Sequence, residues 1–283
     1  MRHAAFRFDA TCHVSLGHHG GHFHASARAL QDAVLLLNLR RLGNERTLGV
    51  AVINHHGVET RLVSGTGPLA LAVGRHAGCD LFLPHADASL RHLMVVADDD
   101  GCGVVDLSSS AGTAGETHAP RGGLVVVRTS DSVVVAAVIE ADESFICFER
   151  APPPRPRHRA RLAKSATAKA TLSLAAVAAP VLIGRGARND IVVDNDNASR
   201  VHAVVMPVRH LGRYEALLVD VGSTNGTVVL QARDGRARER ALGPARRAMV
   251  IRAGDHVVIA EETRFAVVGS VDSAAYATHR GAA

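Results

Sequence analysis

The chain has 283 residues, enough for two ordinary domains, and is 47% hydrophobic and 21% charged, as globular proteins are. Aromatic residues make up only 3% and Trp is absent, so the cores must be built from aliphatic residues, which favours β-structure where Val and Ile cluster. No apolar run is long enough to cross a bilayer, and the N-terminus lacks the apolar core of a signal peptide. We therefore expect a cytoplasmic protein, and its net charge of +5 suits an anionic partner.

The four cysteines are widely separated and form no C-x-x-C pair: Cys12, Cys79, Cys102 and Cys147. This spacing predicts neither a zinc site nor redox chemistry, and four idle thiols suit a reducing cytoplasm. We expect no cofactor.

Residues 1–44 resemble neither of the domains that follow. Five histidines lie between His13 and His24, but no acidic or Cys residue lies among them, so we predict no metal site. A helix beginning at the N-cap Ser26 and ending at Gly43 fits the next stretch. Its run of leucines fits a buried strand almost as well, and the sequence leaves both open.

Residues 45–150 and 168–270 each predict a β domain. Both contain short runs rich in Val and Ile, separated by Gly, Asn, Asp or Pro, which is typical of strands in an all-β sandwich. In the first domain the runs are "PLALAVGR", "HLMVVA", "GVVDL", "LVVVRTS", "SVVVAAVI" and "SFICFE". In the second they are "PVLIGR", "DIVV", "VHAVVMPV", "EALLVDV", "GTVVLQA", "AMVIRAG", "DHVVIA" and "TRFAVVG". Residues 151–167, rich in Pro and Arg, predict a semi-extended linker, and residues 271–283 form a tail.

The two domains are copies of one unit. The segment "VGRHAGCDLFLPHADASLRH" at 73–92 aligns without a gap with "IGRGARNDIVVDNDNASRVH" at 183–202, at a constant offset of 110 (184 − 74 = 110). The offset becomes 114 (220 − 106 = 114) between the loops "DLSSSAGT" at 106–113 and "DVGSTNGT" at 220–227, because four extra residues lie in "PVRHLGRYEA". Connections between strands tolerate such gains.

Three loop motifs of the second copy stand where strands begin or end. Because loops gather at the ends of a sandwich, the three can meet at one rim. Together they offer guanidinium groups, hydroxyls, a carboxamide and loop amides, which suits a dianion. The motifs are Gly184-Arg185, Ser199-Arg200-Val201-His202 and Ser223-Thr224-Asn225-Gly226.

These motifs resemble those of the forkhead-associated (FHA) family, whose members carry Gly-Arg, Ser-x-x-His and Ser-x-Asn-Gly on an eleven-stranded β-sandwich that reads phosphothreonine. All three occur in order in the second copy, followed by the run "RAGDHVVI". The resemblance implies an all-β protein with two FHA-type β-sandwiches in tandem, joined by the Pro/Arg-rich linker. It also implies a non-enzymatic phosphothreonine adaptor in bacterial signalling, whose partner is a Ser/Thr kinase or a kinase substrate.

The resemblance assigns roles to the matching residues. Arg185 and Ser199 would bind the phosphate, Arg200 and Thr224 would flank it, and Asn225 would hold the peptide backbone beside the phosphothreonine. Three further residues would support the site: Gly184 and Gly226 through tight loop conformations, and His202 through hydrogen bonds to the phosphate-binding loop.

The first copy departs from this pattern at two positions. Leu90 stands where Arg200 does and brings no charge, and Ala111 stands where Asn225 does and cannot hydrogen-bond a peptide. We therefore expect residues 45–150 to form an FHA-like domain with a degenerate site. The matching residues it keeps are Arg75, Ser89 and His92.

Three other functions stay open from the residues alone. The fold could serve as an interaction scaffold that has lost its dependence on phosphate. Ser199, His202 and Asp220 could form a hydrolase triad, but the loop is not a G-x-S-x-G elbow, and "GRGARN" does not fit a dinucleotide fingerprint. The linker and the basic stretch 231–247 could contact nucleic acid, but neither contains an aromatic residue for base stacking.

Overall fold

The computed structural model divides the chain into two compact units, which separate between residues 153 and 154, inside the predicted linker. None of the described residues forms a helix long and apolar enough to cross a bilayer. Three features of the sequence lie outside the described residues: the element predicted between Ser26 and Gly43, the histidine group and the run "SFICFE". The domain boundaries given above remain predictions. The structure describes residues 46–54, 57–115, 117–120, 124–129, 132–139, 164–166, 169–233, 236–243 and 246–272.

The described part of the first unit consists of strands in two sheets. The strands are β1 (Arg46–Asn54), β2 (Gly57–Gly65), β3 (Leu69–Gly74), β4 (Leu81–Phe82), β5 (Leu93–Asp98), β6 (Gly101–Asp106), β7 (Ala114–Gly115), β8 (His118–Pro120), β9 (Leu124–Arg128) and β10 (Val133–Ile139). One sheet has the order β2-β1-β10-β9-β7, and the other has the order β4-β3-β5-β6-β8. Strands β3 and β4 are parallel, whereas β3 and β5, like β5 and β6, are antiparallel.

The second unit repeats this two-sheet arrangement. Its strands are β11 (Lys164–Ala166), β12 (Lys169–Ser173), β13 (Val181–Gly184), β14 (Ile191–Val193), β15 (Ala203–His210), β16 (Arg213–Asp220), β17 (Thr227–Arg233), β18 (Arg236–Leu242), β19 (Ala248–Ile251), β20 (His256–Ile259) and β21 (Thr263–Val268), with a 3-10 turn at Leu174–Ala176. The sheets have the orders β11-β14-β13-β15-β16-β19 and β12-β21-β20-β17-β18. Strand β11, which falls within the predicted linker, pairs in parallel with β14.

Each unit has its own apolar core between its two sheets. In the second unit, alternate residues such as Ala203 and Val205 of β15 and Ala216 and Leu218 of β16 belong to this core, as the two-residue period of a strand requires. Phe265 of β21 contributes one of the largest fully buried side chains. The prediction of an all-β protein is confirmed, and the eight strands expected in the second copy are all present.

Several strands were not predicted, for two different reasons. The run Thr47–Ile53 of β1 is buried on both faces, so it reads as a continuous apolar stretch without alternation. Strand β18 has the opposite character: its sequence is "RARERAL", and Arg238, Glu239 and Arg240 are exposed. It lies at a sheet edge, where charged side chains are common.

The two described cysteines differ in accessibility. Cys102 is buried, and burial together with the nearby Asp98 carboxylate raises the pKa of its thiol to about 12. This thiol therefore stays protonated and unreactive at neutral pH. Cys79 is half-buried, and both are free of disulfides.

The position of Phe265 yields a stability prediction. Phe265→Ala should lower the free energy of unfolding of the second unit by about 3–5 kcal/mol, because it leaves a cavity in the core. Val268→Ala on the same strand is the matched control, because Val268 is 41% exposed, and it should cost less than about 0.5 kcal/mol. Urea unfolding of the full chain measures both, and similar losses in the two variants would contradict the assigned core.

Candidate functional site

Three loops of the second unit meet at one rim. Ser199, which lies in one of these loops, is hydrogen-bonded to each of the other two. The N–H of Arg185 donates to the carbonyl oxygen of Ser199 at 3.0 Å. The N–H of Thr224 donates to the Ser199 hydroxyl at 3.2 Å. The loops lie between β13 and β14, between β14 and β15, and between β16 and β17.

His202 is a second connection between these loops and is fully buried. Its Nδ1 accepts a hydrogen bond from the Ser199 N–H at 3.1 Å. The proton therefore sits on Nε2, which donates to the carbonyl oxygen of Gly226 at 2.8 Å. A neutral ring held in one tautomer thus fixes the distance between the Ser199 loop and the Asn225 loop.

Gly184 permits the close approach of β13 to the Ser199 loop. A Cβ atom at this position would lie 2.5 Å from the carbonyl oxygen of Arg200 and 2.8 Å from that of Ser199, closer than atoms can pack. The side chain of Asn189 reinforces the contact, because its Nδ2 donates to the carbonyl oxygens of Gly186 and Arg200. Asn189 is not part of any of the three sequence motifs.

Asp220 organises the third loop from a buried position. One carboxylate oxygen accepts from the N–H groups of Gly222 and Ser223 at 2.9 and 2.7 Å. The other accepts from the hydroxyls of Ser223 and Thr227 at 2.6 and 2.7 Å. The sequence suggested for Asp220 only a role in a hydrolase triad, although the equivalent loop of the first copy also opens with an aspartate, Asp106, and this recurrence indicated a structural role.

The contacts do not form a Ser-His-Asp relay. His202 uses its two ring nitrogens on the backbone at Ser199 and Gly226, whereas a general base must contact the serine hydroxyl. The Asp220 carboxylate accepts from donors of its own loop. The geometry therefore does not support the hydrolase alternative.

Asn225 is held on the rim by the neighbouring loop. Its Nδ2 donates to the carbonyl oxygen of Asn197 at 2.8 Å, while the residue itself is exposed. Arg185, Arg200 and Thr224 are also exposed, and Ser199 is 8% exposed. The rim therefore presents two guanidinium groups, hydroxyls and a carboxamide to solvent. Such donors complement a group with several acceptor oxygens and a double negative charge.

The first unit repeats the supporting contacts of this rim. His92 is fully buried, and its Nδ1 accepts from the Ser89 N–H at 3.3 Å while Nε2 lies 3.1 Å from the Gly112 carbonyl oxygen. The N–H of Ser110 donates to the Ser89 hydroxyl at 2.9 Å. Asp106 accepts from Ser109 and Thr113, as Asp220 does from the corresponding residues.

The first unit differs in what it exposes. Leu90 is 42% exposed, and Ala111 is exposed at the position of Asn225. The guanidinium of Arg75 is bonded to the neighbouring loop between β4 and β5, because Nε donates to the Ala88 carbonyl oxygen at 3.1 Å. Ser108 adopts a φ of 60° where Gly222 has 82°, a conformation that costs a serine more than a glycine.

The close contact at Gly184 yields a second prediction. Gly184→Ala should destabilise the second unit by about 1–3 kcal/mol, because the added methyl group must displace the backbone of the Ser199 loop. Gly243→Ala is the matched control in the same unit, because a Cβ there meets nothing within 4 Å. Urea unfolding compares the two variants, and equal stabilities would show that the loop is not packed against β13.

Comparison with known proteins identifies both units. A family model described as the FHA domain matches residues 71–126 and 181–260. No curated protein matches the chain.

Several solved structures are similar to part of the chain. EmbR of Mycobacterium tuberculosis, in complex with a low-affinity phosphopeptide, is 29% identical over 33% of this chain and 21% of its own, with a TM-score of 0.23; the chain thus spans about a fifth of that protein. The FhaA FHA domain, complexed with the intracellular domain of Rv3910, is 24% identical over 31% of this chain and 98% of its own, with a TM-score of 0.25. The FHA-2 domain from the Mycobacterium tuberculosis ABC transporter Rv1747 is 24% identical over 42% of this chain and 79% of its own, with a TM-score of 0.21.

Because all three TM-scores are below 0.5, the identification depends on the family model. FHA domains are interaction modules that bind phosphothreonine peptides, and they are not enzymes. The chain therefore carries two copies of the FHA domain, one matched at residues 71–126 and one at residues 181–260.

Proposed function

We propose that the second domain binds a phosphothreonine peptide and that the protein is an adaptor in cytoplasmic Ser/Thr kinase signalling. The observation that carries this proposal is the convergence of exposed donors around Ser199. Arg185 bonds to it through the backbone, and Thr224 bonds to its hydroxyl at 3.2 Å. The side chains that would contact the phosphate thus extend from loops whose backbones are hydrogen-bonded to one another through Ser199.

The charge of the rim suits a phosphorylated residue. A phosphothreonine carries a charge of about −1.5 to −2 and three acceptor oxygens. Arg185 and Arg200 together bring two positive charges, and both residues are exposed. The hydroxyls of Ser199 and Thr224 add donors of the right size for the remaining oxygens.

Asn225 supplies the contact to the peptide itself. Its carboxamide is held in place through Nδ2 by the Asn197 carbonyl oxygen, so its oxygen can accept from a peptide N–H without a large loss of side-chain entropy. An extended peptide buries few side chains. We therefore expect an affinity in the micromolar range.

The partner is a protein phosphorylated on threonine, either a Ser/Thr kinase or a kinase substrate. We propose that the first domain does not bind such peptides in the same way. Its site lacks the Asn225 carboxamide and the Arg200 charge, because Ala111 and Leu90 stand at those positions.

The proposal predicts a specific loss of phosphopeptide binding. On an oriented phosphothreonine peptide array, full-length Arg185→Ala and Asn225→Ala should each bind about 10- to 100-fold more weakly, because each loses a hydrogen bond and Arg185→Ala also loses charge-assisted contacts to the phosphate. Arg238→Ala is the matched control, because it removes an exposed positive charge from strand β18, outside the rim, and it should bind as the wild type does.

Two results would contradict the proposal. Equal binding of peptides with unphosphorylated threonine would indicate an interaction scaffold that ignores phosphate. A steep salt dependence without preference for phosphopeptides, with equal losses in Arg238→Ala and Arg185→Ala, would instead indicate binding to nucleic acid.

A further inference from the structure

The first domain exposes two large apolar side chains beside its degenerate site. Phe82 is 46% exposed and Leu90 is 42% exposed. They are two of the four large hydrophobic residues that are exposed within the described ranges; the others, Leu211 and Val268, belong to the second unit. Neighbouring exposed apolar residues often mark an interaction site, whereas single ones do not.

Both residues lie around Gly74, at the end of β3. Phe82 is paired with Gly74 across the parallel strands β3 and β4. The carbonyl oxygen of Leu90 is 2.5 Å from the position that a Cβ on Gly74 would take. Arg75 follows directly, and its N–H donates to the Ser89 carbonyl oxygen at 3.0 Å. We call the surface formed by Arg75, Phe82, Ser89 and Leu90 the Leu90 rim.

The order of polar and apolar residues on this rim is reversed relative to the second domain. There the sequence is Arg200-Val201 with the arginine exposed, whereas here it is Leu90-Arg91, and Arg91 is only 8% exposed. Burial and the nearby Arg91 guanidinium lower the pKa of His76, so the Arg91 charge lies near the loop that follows β3. Solvent favours the opposite arrangement, with arginine outside and leucine inside. The exposure of Leu90 is what a surface that binds a partner requires, because the partner would cover this side chain.

The remaining charge of the rim suits a single negative charge. In the second domain Arg185 and Arg200 are exposed, and the equivalent positions 110 residues earlier are Arg75 and Leu90. One exposed guanidinium therefore remains where the other domain has two. Its Nε bond to Ala88 at 3.1 Å fixes its direction, which leaves the terminal nitrogens to face a carboxylate.

Other polar groups on the rim are consistent with a carboxylate ligand. The hydroxyls of Ser89 and Ser110 lie 3.3 Å apart beside the arginine loop and offer a donor. The acidic residue of the loop between β4 and β5 is Asp87, which lies 3.5 Å from Nδ1 of His85. The same Nδ1 accepts a hydrogen bond from the Asp87 N–H at 3.3 Å, and the Asp87 side chain is 70% exposed.

We propose that the Leu90 rim of the first domain binds an unphosphorylated peptide segment of a partner protein, with a Glu or Asp carboxylate at Arg75 and a bulky apolar side chain against Phe82 and Leu90. The carboxylate takes the place that a phosphate would have in the second domain. The apolar contact replaces the lost carboxamide of Asn225 as the second anchor. This binding is independent of the function proposed for the second domain.

A peptide array with the full-length chain tests this proposal. The protein used on the array carries the substitutions Arg185→Ala and Asn225→Ala, so that the second domain does not contribute to peptide binding. The probes are synthetic 12-residue peptides with a central Glu and one Leu or Phe at each flanking position in turn, and sister sets carry Gln or phosphothreonine in place of Glu. Peptides that combine Glu with an apolar residue should bind with a Kd on the order of 100 μM, and those with Gln should bind at least about 10-fold more weakly.

Variants of the rim identify the surface that binds. Phe82→Ser and Leu90→Ser should each weaken binding about 5- to 10-fold, and Leu90→Arg should remove the preference for an apolar neighbour while the chain stays folded. Leu211→Ser is the matched control, because Leu211 is 80% exposed and lies in the second unit, and it should change nothing. The proposal is overturned if no Glu peptide binds at millimolar concentration, if the rim variants bind as the control does, or if phosphothreonine is required.

Discussion

The buried ring of His202 is the contact on which the candidate site depends. It joins the backbone at Ser199 to that at Gly226, two positions 27 residues apart in the chain (226 − 199 = 27), and it can do so only as a neutral tautomer with the proton on Nε2. Through this ring, Ser199 and Asn225 keep a fixed separation. The positions of the exposed side chains on the rim therefore depend on His202, which is fully buried.

The same support exists in the first domain, where it carries a different surface. His92 joins Ser89 to Gly112 through equivalent bonds, although Leu90 and Ala111 replace the groups that would contact a phosphopeptide. The hydrogen bonds beneath this surface are therefore present without those groups. In the two domains the buried His and Asp that support the loops are shared, whereas the exposed residues at positions 90 and 111 differ from Arg200 and Asn225.

Much of the fold and the proximity of the three loops could be predicted, because both depend on local pattern. Val-rich runs predict strands such as β15 and β16, and because loops gather at the ends of a sandwich, three motifs at strand ends are expected at one rim. Strand β1 has no alternation, since both of its faces are buried, and it was not predicted, although β10, whose residues 133–138 are buried in the same way, was. The role of Asn189 depends on a contact with the carbonyl oxygen of Arg200, and the burial of Arg91 beside an exposed Leu90 depends on packing; neither is written in residue order.

The turn built on Asp220 has a consequence for how these domains diverge. Its carboxylate binds four donors from Gly222, Ser223 and Thr227, and Asn225 is not among them. The residue at position 225 can therefore change without loss of the hydrogen bonds through which Asp220 holds the turn. After a duplication, substitutions at this position and at that of Arg200 can change the surface of one copy while the turn and the core remain intact, as Ala111 and Leu90 of the first domain illustrate.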